Sequence, residues 1–179
     1  MAQSIIKNNS INMKKIITIC LLLAATLTVN AQEKPSKDVT AKFIEANLKK
    51  TIGTKDKYSN LLTNVSFDGN VLILTTTDKS LGVTTTETYS DFDWEGVRFS
   101  VRDDSEKSTI PGFEVVQISF ETSYKQKTIT EQYGEVRKSE RLFDWFIIHM
   151  PSDKIESLQK AFLRLQEIAK EENKDPFKD

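Results

Sequence analysis

The residues best suited to chemistry form one short acidic and aromatic segment, Asp91-Phe92-Asp93-Trp94-Glu95. Carboxylates at this spacing could hold a hard cation such as Ca²⁺ or act as an acid/base pair. The segment lacks the interior glycine and the further acidic ligand of a calcium loop. The alternative is a solvated turn whose aromatic rings pack inward while the acids face water. We expect the solvated turn.

Asp144 is a second acidic residue of interest, because it interrupts an apolar run. A side chain pointing inward would need a partner, since a buried unpaired charge is costly. The candidate partners are Arg98, Arg102 and Arg141. A buried carboxyl with a displaced pKa would be a functional candidate, whereas an edge position open to solvent would need no partner.

Aromatic side chains supply the candidate surface for a ligand. Trp94 and Trp145, with the carboxyls of Asp93 and Asp144, are the residues that we select as candidate ligand contacts. Exposed rings could line a groove for a sugar or a peptide, and rings in the core would serve the fold instead. No residue is predicted to be catalytic or to bind a metal, and no cofactor is expected.

Composition excludes several kinds of reactive site. The chain has one histidine, His149, so neither a multi-histidine metal site nor the zinc-protease motif can form. None of its six glycines falls in a phosphate-binding pattern, and no Gly-x-Ser-x-Gly elbow occurs. His149 lies two residues before Pro151 and is predicted to be a rim or surface residue. These exclusions favour a protein that is not an enzyme.

Residues 1–31 are predicted to form a leader and signal peptide. Met13-Lys14-Lys15 begins a basic region, Ile16 to Thr28 is apolar, and Val29-Asn30-Ala31 offers small residues for cleavage. The apolar run is too short for a good membrane span. The segment is similar to signal peptides of exported proteins from Gram-negative bacteria, so a periplasmic or secreted protein is expected.

Charge and cysteine content narrow the partners of residues 32–179. The one cysteine, Cys20, lies in the leader, so the remainder offers neither a disulfide nor a thiolate site. Removing the leader takes three of the 25 basic residues, which leaves 22 against 26 acidic ones and a net charge of −4. A weakly acidic chain lacks the basic surface of a nucleic-acid binder. Its length suits a single α+β domain without a further membrane-spanning run.

Helical periodicity appears at both ends of this domain. After Ser36, a suitable N-cap, one apolar face is formed by Ala41, Ile44, Leu48 and Ile52. A second stripe predicts an amphipathic C-terminal helix that covers a β-core, with Ser152 or Asp153 as its cap and Asn173 and Pro176 at its end. That stripe contains Ile155, Leu158, Phe162, Leu165 and Ala169.

Between the helices the apolar period changes to two, as in β-strands. Asp68-Gly69-Asn70 is a strong hairpin signal between Leu61 to Phe67 and Val71 to Thr77. Further strands are predicted at Val83 to Tyr89, Val97 to Val101, Val116 to Phe120 and Leu142 to Met150. The charged segment 132–140 gives no clear prediction.

The predicted strand from Leu142 to Met150 is apolar on both faces, so we expect it to be central or to lie beneath a helix. Pro151 ends it, because proline gives no N–H to a ladder. Thr84-Thr85-Thr86 and Thr128-Ile129-Thr130 are the candidate open edges of the sheet. The total is an α+β domain of about six or seven antiparallel strands, with an N-terminal helix and a C-terminal capping helix.

The order of these elements resembles a PH-like barrel, in which a bent antiparallel sheet closes and a C-terminal helix covers one end. The resemblance runs from Leu61 to Lys170, through the hairpin, Thr86 to Trp94 and the run from Phe146 to Asp153. It implies a fold and not an activity. Phosphoinositide-binding members hold the headgroup with basic residues around the first hairpin loop, and this chain departs from them there with Asp68-Gly69-Asn70.

The sequence thus predicts an exported, non-enzymatic domain that binds a small apolar ligand or a protein partner. Binding would use a groove between helix and sheet, or an added strand at an open edge. The alternatives are a hydrolase-type enzyme using carboxylates of the Asp91-Glu95 turn or Asp144, and an envelope protein-interaction module stabilised by a metal.

Three structural features separate these hypotheses. An enzyme should bring carboxylates together in one pocket, with His149 close to Asp93 or Asp144. A filled core with an unpaired sheet edge would indicate an interaction domain. A ligand carrier should have an empty apolar cavity lined by Phe99, Phe120, Phe146 and Leu165.

Overall fold

The computed structural model describes residues 34–55, 60–102 and 110–174. Along these residues one helix precedes six strands and a second helix follows them. The helices are α1 (Lys37–Leu48) and α2 (Ile155–Asn173). The strands are β1 (Leu61–Phe67), β2 (Leu72–Asp78), β3 (Val83–Ser90), β4 (Arg98–Val101), β5 (Phe113–Gln132) and β6 (Glu135–Pro151). Short 3₁₀ turns lie at Lys49–Thr51, Trp94–Gly96 and Ser152–Lys154. All strand pairs are antiparallel, which confirms the α+β class.

Some predictions fall on residues that the structure does not describe. The leader with Cys20, most of the loop after Arg102 and the helix stop at Pro176 lie outside the described residues. From Pro35 onwards the chain belongs to one compact unit. No helix in the described ranges is both long enough and apolar enough to cross a membrane.

Strand β5 organises the sheet, because it pairs with three other strands. Residues 125–132 pair with β3, residues 116–119 pair with β4, and β6 runs along the opposite edge of both halves. Between Ser119 and Tyr124, four residues of β5 face a single residue of β6, Asp144. A bulge of this kind bends a strand and increases its twist. The bend divides the sheet into a half near the helices and a distal half.

The described strands form an open sheet. In the distal half the order is β1-β2-β3-β5-β6, and β1 and β6 do not pair with each other. The chain's own backbone lies against the start of β1: Gly53 N donates to Leu62 O, and Leu62 N donates to Thr54 O, both at 2.9 Å. The bent antiparallel arrangement with a C-terminal helix is therefore present, and closure into a barrel is not seen among these strands.

The prediction of the open sheet edges was wrong. The segments at 84–86 and 128–130 are interior, because β3 pairs with both β2 and β5, and β5 pairs with both β3 and β6. Of the two alternatives for the C-terminal strand, the central position does not hold, because β6 pairs with β5 and with no other described strand, and the position beneath a helix does. It also begins at Glu135 rather than Leu142, and ends at Pro151 as predicted. Its apolar half packs beneath the helices while its charged half projects beyond them.

The core lies between the sheet and the two helices. The predicted α2 stripe is confirmed, since Leu158, Phe162 and Leu165 are buried, and on α1 Ala41, Ile44 and Leu48 are buried as well. Ser36 caps α1 as predicted, accepting a hydrogen bond from Val39 N at 3.4 Å. The predicted cap of α2 was wrong. Ser152 and Asp153 belong to a 3₁₀ turn, and the N-cap is Lys154, which makes no side-chain capping bond.

The turn between β5 and β6 consists of Tyr133 and Gly134, with φ angles of 50° and 83°. Two positive φ angles are typical of a type I′ turn, which matches the twist of the strands it joins. Tyrosine is an unusual residue at the first position, where asparagine or aspartate relieves the steric strain. The turn places the distal hairpin in a fixed register, with Gln132 opposite Glu135.

Candidate functional site

The acidic and aromatic segment forms the turn that the sequence predicted. Trp94 is buried, and its Nε1 donates to Gly69 O at 2.8 Å, which ties the turn to the β1–β2 hairpin loop. Phe92 stacks on Phe120 with ring centroids 5.2 Å apart. Asp91 is exposed and forms an ion pair with Lys125 (Oδ2–Nζ 3.4 Å). The rings thus stabilise the core, and Asp91 faces away from it.

Two of the predicted carboxylates, Asp93 and Glu95, line an open polar groove of about 190 Å³ with a third, Glu172. Asp93 Oδ2 accepts a hydrogen bond from Thr122 Oγ1 at 3.0 Å, and Glu95 Oε1 accepts one from Asn173 Nδ2. Separate hydroxyl and amide groups therefore hold these carboxylates. Glu172 could not be singled out from the sequence, because it lies among the other charged residues on the polar face of α2.

The groove does not have the features expected of a hydrolase or a metal site. Neither Asp144 nor His149 is among the residues that line it. Within the described ranges, no group of three or more histidine, cysteine or acidic side chains is placed to hold a metal ion. The structure therefore brings Asp93 and Trp94 together and leaves the other two candidates, Asp144 and Trp145, elsewhere on β6.

Asp144 is exposed at the bulge, so of the two alternatives the position open to solvent holds, and this position needs no arginine partner. Arg98, one of the proposed partners, binds Glu121 instead (Nη2–Oε1 3.2 Å). Tyr124 is the buried neighbour at this bend: its hydroxyl donates to Trp145 O at 3.0 Å. Burial raises the pKa of Tyr124, and the charges of Glu87 and Asp144 act in the same direction. The neutral hydroxyl of Tyr124 thus helps to hold the bend.

The interior between helices and sheet is nearly filled. The apolar cavity there measures about 10 Å³, roughly the space of one water molecule. It is lined by Ile44, Leu48, Phe67, Leu72, Phe92, Trp94, Phe146, Ile148 and Phe162. Three of the four residues predicted to line a ligand cavity, Phe120, Phe146 and Leu165, are buried in the core, and Phe99 packs against it. This space is too small for an apolar ligand.

A polar network that the sequence did not predict lies where the distal half meets the core. Tyr89 OH donates to Glu87 Oε2 at 2.9 Å, and Gln126 Nε2 donates to Glu87 Oε1 at 2.8 Å. Burial raises the pKa of Tyr89, and the charge of Glu87 adds to this effect. The bonds join β3 to β5 on one face. Residues 89 and 126 are paired across the strands, a register that periodicity alone does not reveal.

The free edge of β6 is the surface that the structure exposes most clearly. Residues 135–142 are all exposed, although they belong to a regular strand. Gln132 and Glu135 close the two-residue turn, so they form a hydrogen-bonded pair, and such pairs alternate along an antiparallel ladder. The residues that direct their backbone N–H and C=O groups away from β5 are therefore Val136, Lys138, Glu140 and Leu142.

These four residues also share one face of the sheet, because side chains alternate along a strand. Two are large apolar side chains that stay exposed: 54% for Val136 and 68% for Leu142. Trp145, one of the predicted ligand contacts, is 46% exposed farther along the same strand. The edge thus combines unpaired backbone groups with a side-chain row that has an apolar residue at each end. Charged residues lie on both faces between 137 and 141, so the sequence has no apolar alternation there from which this edge could be predicted.

The chain was also compared with known proteins. No protein-family model, no curated protein and no solved structure matches it.

Proposed function

We propose that this protein is an exported, non-enzymatic interaction domain that binds a polypeptide strand along the free edge of β6. The observation that carries the proposal is the exposed half of β6, residues 135–142, which is paired on one side only among the described strands. Such an edge presents a row of backbone donors and acceptors that a partner strand can complete.

The near-filled core and the polar groove support this function over its alternatives. A cavity of about 10 Å³ between helices and sheet gives little support to a carrier of apolar ligands. The carboxylates of Asp93 and Glu95 are held by Thr122 and Asn173, an arrangement that favours structure over acid/base chemistry. The exposed side chains of Leu142 and Trp145, by contrast, offer apolar contacts beside the unpaired backbone.

Two further expectations remain part of the proposal. The leader at residues 1–31 supports export to the periplasm or the medium, where the bound strand would belong to a protein of that compartment. The bent antiparallel sheet with its C-terminal helix supports a relationship to PH-like barrels. In that relationship, the opening between β1 and β6 would be a departure from the closed barrel.

The test is to block the edge without disturbing the fold. Proline at Glu140 removes an N–H that points away from β5, and edge strands tolerate proline at such positions. Glu140→Thr is the matched control, because it removes the same charge and keeps the N–H. Each tagged protein is expressed in its own organism, crosslinked in the cells, purified and analysed by quantitative mass spectrometry of the recovered polypeptides.

We expect the amount of partner recovered with Glu140→Pro to be at least tenfold lower than with Glu140→Thr, which lacks the same charge and keeps the N–H. The thermal unfolding of the purified variants reports whether the fold is retained. An identical set of partners with all three proteins, each of them folded, would overturn the proposed use of the edge.

A further inference from the structure

The outward row of β6 has an order of side chains that is complementary to itself. Val136, Lys138, Glu140 and Leu142 read apolar, basic, acidic, apolar along the strand. If a second copy of the row lies antiparallel to the first, each apolar residue faces an apolar residue and each basic residue faces an acidic one. Charged side chains on an edge usually oppose the addition of a strand, but this order suits one particular partner.

We propose that the strand bound at this edge is β6 of a second copy of this protein, in antiparallel orientation with Ser139 opposite Ser139. The inference rests on the proposed function of the edge and names its occupant. A two-fold axis perpendicular to the sheet relates the copies, so each face of one sheet continues as the same face of the other. Across the new ladder, even-numbered residues must then face even-numbered ones and odd-numbered residues must face odd-numbered ones.

The side chains select the register. With the axis at residue 139, Lys138 of each copy faces Glu140 of the other, and Val136 faces Leu142. The neighbouring registers centred on residue 138 or 140 would place Lys138 opposite Lys138 or Glu140 opposite Glu140. Like charges directly opposite are destabilising, whereas opposite charges and apolar pairs stabilise a sheet. On the row of residues 136, 138, 140 and 142, the register at Ser139 is therefore favoured over both neighbours, since it alone also places Val136 opposite Leu142.

The other face of the sheet adds one kind of unfavourable contact, which the two-fold axis makes twice, and each has a compensating group nearby. Arg137 of one copy would face Arg141 of the other in this register. Arg137 already pairs with Glu135 of its own chain (Nη2–Oε2 3.4 Å), and that glutamate lies diagonal to the second copy's arginine. Diagonal neighbours lie within reach of long side chains. The carboxylate of Glu135 thus lies near both arginines and offsets part of their repulsion.

The paired segment is short, so the dimer should be weak and dependent on concentration. The four outward residues of each copy would form about eight backbone hydrogen bonds across the new ladder. Eight residues bury less surface than a standard stable interface does. We expect dissociation in roughly the micromolar range, typical of small interfaces.

Charge reversal tests the register. Lys138→Glu and Glu140→Lys each create two like-charge pairs in the proposed dimer, and the double variant restores both opposite-charge pairs with the order exchanged. By sedimentation equilibrium, we expect each single variant to dissociate roughly tenfold more readily. The double variant should return to within about threefold of the wild type, and failure of that rescue would overturn the register.

A crosslink tests the axis. In the new ladder Ser139 would occupy a non-hydrogen-bonded pair, with Cα atoms about 4.5 Å apart, which a disulfide can bridge. In a Cys20→Ser background, Ser139→Cys should form a covalent dimer on mild oxidation. Arg137→Cys is the exposed control, since its two copies would lie roughly 14 Å apart along the strands. Equal crosslinking of both variants would overturn the proposed geometry.

The experiments separate this inference from the function on which it rests. If Glu140→Pro removes a partner protein while the chain stays monomeric at high micromolar concentration, the edge binds another protein and the dimer is disproved. If the chain dimerises equally well with Glu140→Pro, the dimer uses another surface, and this inference fails. A dimer that Glu140→Pro abolishes and the charge exchange restores supports both.

Discussion

Glu87 is a half-buried carboxylate that joins two strands through uncharged partners. It accepts hydrogen bonds from Tyr89 OH and Gln126 Nε2, at 2.9 and 2.8 Å. Because burial and the charge of Glu87 both raise the pKa of Tyr89, the fold requires this tyrosine in its neutral form. Trp94 is held in a similar way by the carbonyl of Gly69. Buried polar groups of this domain are thus satisfied by hydroxyl, amide and indole donors.

The raised pKa of Tyr89 predicts a loss of stability at alkaline pH. Its contribution is complete below the unfolded tyrosine pKa of about 10 and disappears as the pH rises towards the higher folded value. Above pH 10 the unfolding free energy should fall as the pH rises. We expect Tyr89→Phe to make this fall shallower by about 1.4 kcal/mol per pH unit, the effect of one proton. Urea unfolding between pH 8 and pH 11.5 measures this slope. An unchanged slope would contradict the assignment, and Tyr133→Phe, at an exposed tyrosine, is the control.

At the scale of elements, the helices were predictable and the long hairpin was not. The α2 stripe follows from residues spaced by three and four, because a helix repeats its contacts locally. In β5 the alternation is interrupted by the bulge between Ser119 and Tyr124, so the sequence reads as separate short strands. The first eight residues of β6 are exposed on both faces of the sheet, so apolar residues do not recur there at every second position.

Phe162 tests the packing of α2 on the core. Its ring lies 6.0 Å from that of Trp94 and 5.8 Å from that of Phe99, between centroids. Phe162→Asp should cost several kcal/mol of unfolding free energy, because it buries a charge without a partner and removes these contacts. Leu163→Asp, on the adjacent position that is 43% exposed, should cost less than about 1 kcal/mol. Equal losses in thermal and urea unfolding would show that α2 does not pack as described.

The whole molecule combines a packed half with a thinner half. Residues 83–88 of β3 and 125–132 of β5 are partly buried or exposed, and none is fully buried. Val116 and Ile118, on the other side of the bulge, are fully buried. The sequence predicted the class and most core positions, since both depend on local periodicity. It did not predict the edge at β6, which depends on which strands become neighbours.

This division predicts two levels of protection against amide hydrogen exchange. Amides at 84–88 and 126–132 should exchange through local opening, with a lower opening free energy than those at Val116 and Ile118. Native-state exchange followed by mass spectrometry across a denaturant series would separate the two levels. A single opening free energy for both groups would show that the distal half unfolds only together with the core.

The contact of Gly53 and Thr54 with β1 bears on how far strand addition can proceed. Both ends of a sheet must accept strands for copies to accumulate without limit, as they do in a fibril. The hydrogen bonds between these two residues and Leu62 occupy the outer edge where β1 begins. Addition at β6 would consume the other end in a single event. At these two edges the geometry therefore favours one finite complex over the growth of a polymer.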